Sequence, residues 1–210
     1  PAAAAEAVAV ALSEGFNPEA IGEAISLAAN LLVLHDPGRS SANGSEKPVG
    51  SVHGASVGVH ASDAANAWRN IARVTNIRNR IASLIVGAYH TAGQKGAVKD
   101  DPYMTRDQVA AVGTDNAKKL AGLLRSAVEE SDQARAAAIV QRWANAGHSP
   151  TAIFNSLRQY AVSEDGALHA EKYFRTVVEE YATTRDEFRW RHLVALARVT
   201  ASQYGWPAPG

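Results

Sequence analysis

Two seven-residue stretches, GFNPEAI at 15–21 and GHSPTAI at 147–153, share the pattern Gly-x-[Asn/Ser]-Pro-x-Ala-Ile. A chain that repeats a helix-entry signal in this way is constrained to fold as two related units. In both copies an Ala-rich helical stretch ends at the glycine, and Asn or Ser then caps a helix that opens on proline. Two further pairs follow in the same order: VHASDAANAWRN (59–70) with LHAEKYFRT (168–176), and RNRIASLIVGAY (78–89) with RWRHLVALARV (189–199). The spacings differ because the first half carries a longer loop, residues 36–59.

Between the glycines and prolines, apolar residues recur at helical spacing, and no run alternates with period two. The expected fold class is all-α, a multi-helix bundle of two internally repeated units, 1–93 and 114–205. Residues 94–113 are read as a polar linker with a short helix. Asn17 and Pro18 open a helix with Ile21, Ile25, Ala28, Leu32 and His35 on one face, closed by Asp36-Pro37-Gly38. Further helices are expected over 61–75, 78–92, 105–112, 115–130, 132–146, 150–163, 167–182 and 185–204. Capping boxes are read at Thr105 with Gln108 and at Thr184 with Glu187. A helix apolar on most faces must be buried, so 78–92 and 189–204 are expected near the centre. The helix over 115–130 has no counterpart after residue 1, and with a start on Pro1 this fits a chain excised from a longer one.

Composition removes several function classes. Lys plus Arg and Asp plus Glu both number 21, so there is no net positive charge to hold a polyanion by counterion release, and nucleic acid is not an expected partner. The absence of cysteine excludes disulfides, thiolate zinc sites and cysteine-held iron–sulfur clusters within this sequence. Any metal must be held by His, Asp, Glu or Tyr. The apolar run Pro1 to Leu12 has no basic flank and is too short to span a bilayer, so no membrane is expected and the location expected is cytoplasmic.

The stretch SVHGASVGVHASDAANAWRN at 51–70 departs from the plain helical pattern. As a helix it would line up Gly50, Gly54 and Gly58 for close packing, at about 1 kcal/mol per glycine relative to alanine. A loop is the preferred reading, with Ser62 capping the next helix, Asp63 in its first turn, and Ala64, Trp68 and Ile71 facing inward. The loop would let His53 and His60 converge. Four other histidines have structural explanations: His35 closes a helix, His148 sits in a turn, and His90 and His192 are core residues bonded to a carbonyl. His169 is the counterpart of His60, and packing of the halves about a pseudo-twofold axis would bring these two rings together.

A histidine cluster with a carboxylate suits zinc, or non-haem iron with open positions. The metal ligands expected are His53, His60, His169 and Asp63, with Glu171 also near this seam. His60, Tyr173 and Arg69 are the candidate catalytic and substrate-contact residues. The metal-free alternative makes His60 a general base and Arg69 or Lys172 an anion contact. No HExxH, GxSxG or P-loop motif is present. Arg39, Ser40, Ser41, Asn43 and Lys47 of the long loop could form a lid or stay mobile, and Trp190 is read as a core residue.

The segments ALHAEKYFRTVVEEYATTRDEFRWRHLVALARVTAS (167–202) and SVHGASVGVHASDAANAWRNIARVTN (51–76) resemble helical regions of actinobacterial proteins that also carry a Rieske-type iron–sulfur domain. The resemblance implies oxidoreductase chemistry with electrons supplied by a partner domain, and it assigns no residue roles.

The leading reading is therefore a helical domain with a histidine-lined site between its halves, a non-haem metal-dependent oxidoreductase acting on a small molecule. One alternative is a non-catalytic interaction or dimerisation module, a homo-oligomer or part of a larger chain, whose Ala-rich open end is the contact surface. The other is a metal-free small-molecule-binding bundle.

Overall fold

The computed structural model describes residues 1–40, 48–52, 56–95, 98–100, 102, 104–165 and 167–206. Among them are ten helices and no sheet: α1 (Ala2–Ser13), α2 (Pro18–His35), α3 (Val57–Val74), α4 (Ile77–Gly93), α5 (Arg106–Ala111), α6 (Ala117–Glu129), α7 (Gln133–Asn145), α8 (Thr151–Ala161), α9 (Ala167–Thr183) and α10 (Trp190–Gln203). The all-α expectation holds.

Most helix starts follow from local chemistry. Asn17 accepts from the Glu19 amide ahead of Pro18, and Asn76, Asn116 and Asp132 cap α4, α6 and α7 in the same way. The Thr105 and Gln108 capping box forms as expected. The one expected at Thr184 and Glu187 does not: residues 185–189 make a turn, α10 begins only at Trp190, and the Thr184 hydroxyl meets His192 instead.

The glycine stretch also departs from expectation. Helix α3 starts at Val57, so Gly58 is helical and Ser56, not Ser62, is the cap. Gly50 lies in a turn at φ +86°, a conformation open to glycine. Gly58 is needed for another reason. A Cβ there would sit 2.6 Å from Cα of Val33, so α2 and α3 meet backbone to backbone. Asp36 fixes this junction: one carboxylate oxygen accepts from the Ser56 hydroxyl at 2.7 Å and the Gly58 amide at 2.8 Å.

Two apolar clusters form the core, the smaller within the first half and the larger drawing Val33, Leu34, Val52 and Val59 of the first half into the second. One joins Ile21, Ile25, Ala29, Ala61, Ala65 and Leu84; the larger holds Leu120, Leu124, Ile139, Trp143, Leu157, Tyr173 and the apolar residues of α10. Helix α10 is central, buried from His192 to Gln203. Helix α4 is not, with Ile77, Ile81, Val86 and Tyr89 exposed, which corrects the expectation that both lie at the centre. In the first half α1 packs on α4, α2 on α3 and α4, and α3 on α4; in the second, α7 packs on α10, α8 on α9 and α10, and α9 on α10. Helix α6 packs on α7, α10 and α8. The halves join where α3 meets α9 and α2 meets α10.

Candidate functional site

Helices α3 and α9 run parallel, joined by a ladder of polar contacts. At the N-terminal end the rings of His60 and His169 lie edge to face, 6.3 Å between centroids. Next, Asp63 accepts from the Thr176 hydroxyl at 2.7 Å and pairs with Lys172 at 3.1 Å. Asn66 donates to buried Glu180 at 3.0 Å, and Asn70 to Glu179 at 2.9 Å. Arg69 closes the ladder, donating to Glu180, to Glu19 and to the Thr183 carbonyl.

The site residues expected from sequence divide accordingly. The structure brings His60 and His169 together, but both are exposed, in the first turns of their helices. His60 is not among the buried residues of α3, which include Ala61, Ala65 and Ala72 beside Ser62, Asp63, Asn66 and Arg69. Of the residues expected inward, Ile71 is exposed and Trp68 lies half-buried over Gly87. Asp63 is buried and held by Lys172 and Thr176, and Glu171 is exposed. Tyr173 is fully buried; burial raises its hydroxyl pKa above the usual 10, the Asp63 charge adds to this, and the nearby Ser62 hydroxyl opposes it. The Tyr173 ring packs within the larger apolar core. Arg69 is 1% exposed and held by the carboxylates of Glu19 and Glu180. His53, Ser41, Asn43 and Lys47 lie outside the described residues. Among the described residues no group of three or more His, Asp or Glu converges as a metal site would require.

Of the remaining histidines, His35 ends α2, and His148 packs on Trp143. His90 is half-buried. His192 is fully buried, but its Nε2 faces the Thr184 hydroxyl at 3.2 Å where a carbonyl was expected. Trp190 packs against the core and Tyr181, as expected.

Sequence reasoning missed the charged interior. Glu180 is fully buried with Arg69 and Asn66 as partners, and Glu23 is buried against Arg185 at 2.8 Å. The available signal was Glu180 recurring at helical spacing with Tyr173 and Val177, on the stripe that faces the core. Burial raises Glu19, but hydrogen bonds from Arg73 and Arg69 outweigh it, so its carboxyl stays below the usual range. Burial drives His192 down to about 4, while Glu180 pulls the other way. The unfolded chain therefore takes up a proton near pH 6.5 that the folded chain refuses until about pH 4. Stability is fully present above pH 6.5 and declines as pH falls through that window, by up to about 3 kcal/mol. Urea unfolding at pH 7 and pH 4.5 measures this, and an equally steep decline in His192→Gln would show that another group is responsible.

A second feature with the form of a site is a groove of about 680 Å³ between α1 and α2, floored by α4. Its walls are nearly all apolar and rich in alanine, with Ala4, Ala7 and Ala11 on one side and Ala24 and Ala28 on the other. Leu31, at its rim, is 51% exposed. His35, Thr91 and Lys95 gather at the end where α1 begins, since Gly93 lies beside Pro1. Both size and lining match those of ligand sites. Among the described residues no helix is long and apolar enough to cross a membrane.

No family model, no curated protein and no solved structure matches this chain.

Proposed function

We propose that this chain is a helical interaction module that holds an apolar partner in the groove between α1, α2 and α4. The observation that carries this reading is a contiguous alanine-lined apolar surface that the described residues leave uncovered, although the chain buries large apolar cores elsewhere. The reading keeps the Ala-rich end of the first unit as the contact surface. Ala28 stands exposed in the middle of the groove wall, so Ala28→Arg puts a charge there without disturbing the core. Nile red is expected to bind the native chain saturably at one site and to bind Ala28→Arg at least tenfold more weakly, with thermal unfolding unchanged. Equal binding by both proteins would overturn the reading.

The two halves are read as duplicated copies. Three equivalent pairs meet across the α3 and α9 seam: His60 with His169, Asp63 with Lys172, and Asn70 with Glu179. The matching helix contacts within each half support the same reading.

A second reading rests on the His60 and His169 pair, which offers two imidazoles to zinc or non-haem iron for small-molecule oxidoreductase chemistry. An electron-transfer partner domain would then supply the electrons. Elemental analysis tests it: one iron or zinc per chain, lost in His60→Ala/His169→Ala, is the expected result, and metal-free native protein would end it.

A further inference from the structure

Setting Gly15 over Gly147 and Ile21 over Ile153 identifies what the groove lacks. In this register Val8, Ala11, Ile21 and Ile25 of the groove wall fall on Val140, Trp143, Ile153 and Leu157. All four of those counterparts are buried. They share the larger core with Leu120, Leu124, Ala127 and Val128, the inner face of α6. Helix α6 packs on α7, α10 and α8, whose counterparts are α1, α4 and α2, the three helices that form the groove. The groove is thus the place that α6 fills in the other half.

Dimensions and charge agree. From Ile21 to His35 the groove runs about 21 Å along α2, and a 13-residue helix such as α6 is about 20 Å long. Alanine walls let a helix backbone approach closely. Helix α6 reaches α7 through a short turn at 130–132, so the two are antiparallel. A helix in the equivalent place has its C-terminal end beside the start of α1, where Lys95 and His35 lie. The negative end of the helix dipole meets the Lys95 ammonium there, and α6 itself ends in Glu129 and Glu130.

We infer that the groove is the seat of an amphipathic helix supplied by another polypeptide segment, about 13 residues long, with leucines one turn apart, small residues beyond them and acidic residues at its C-terminal end. This rests on the interaction-module reading and names its partner.

The probe is a fluorescein-labelled peptide of residues 114–131, TDNAKKLAGLLRSAVEES, with its L120D/L124D form as control. Anisotropy should show saturable binding to the native chain, at least tenfold weaker for Ala28→Arg and for the control peptide, and several-fold weaker for Lys95→Glu. Native peptide binding no better than control, or equally well to Ala28→Arg, overturns the inference. If Nile red binds the native groove and the peptide neither binds nor displaces it, the helix is wrong and the module reading stands. If neither binds, both fail. A concentration-dependent dimer in light scattering, abolished by Ala28→Arg, would make a second copy the occupant and also overturn the inference.

Discussion

Replacing Arg69 by Met is expected to destabilise the protein by about 3–5 kcal/mol, because it leaves Glu180 charged, fully buried and without its cation. For a chain of this length that corresponds to a fall in melting temperature of about 10 °C. The Asn66 amide remains as a donor to Glu180, yet a neutral hydrogen bond does not balance a buried charge. Replacing both partners, Arg69→Met with Glu180→Leu, removes charge and countercharge together and should recover most of the loss. Denaturant unfolding of the two variants beside the native chain is the measurement. A single variant within about 1 kcal/mol of native would refute this account of the Arg69 and Glu180 pair.

Arg198→Met is expected to cost about 4 kcal/mol. The guanidinium of Arg198, fully buried on α10, donates to the carbonyls of Val33 and Asp36 and to the Gln133 side chain. The carbonyls at a helix end have no partner within the helix. Here the donor comes from a residue far along the chain, and removing it leaves two buried acceptors at about 1–3 kcal/mol each. The loss should be concentrated at the end of α2, so amide exchange there should accelerate more than elsewhere in the helix. Unchanged unfolding in urea would refute this account.

What was legible in the sequence was local or repeated. Caps such as Asn17 and the Thr105 box involve residues two or three apart, and they formed as read. The approach of His60 to His169 was legible because similar sequence stretches, VHA at 59–61 and LHA at 168–170, set them as counterparts. The start of α3 was missed because it depends on Asp36, distant in sequence, receiving the Ser56 hydroxyl, and on a backbone contact that only Gly58 permits. The inner face of α3 was misassigned for a related reason. Amphipathic reasoning sends apolar residues inward, whereas this helix buries Asp63, Asn66 and Arg69 against matching groups on α9. Each of those groups is costly to bury alone, and only the fold shows that its partner is there.

Under the proposal that the two halves are duplicated copies, the parallel pairing of α3 with α9 bears on ancestry. Two identical chains meeting about a twofold axis would set each residue of this seam against its own copy, Asp against Asp and Lys against Lys, with like charges repelling. In one continuous polypeptide the two sides are free to diverge. Asp63 can then sit opposite Lys172 and Asn70 opposite Glu179, an asymmetry closed to any homodimeric forerunner.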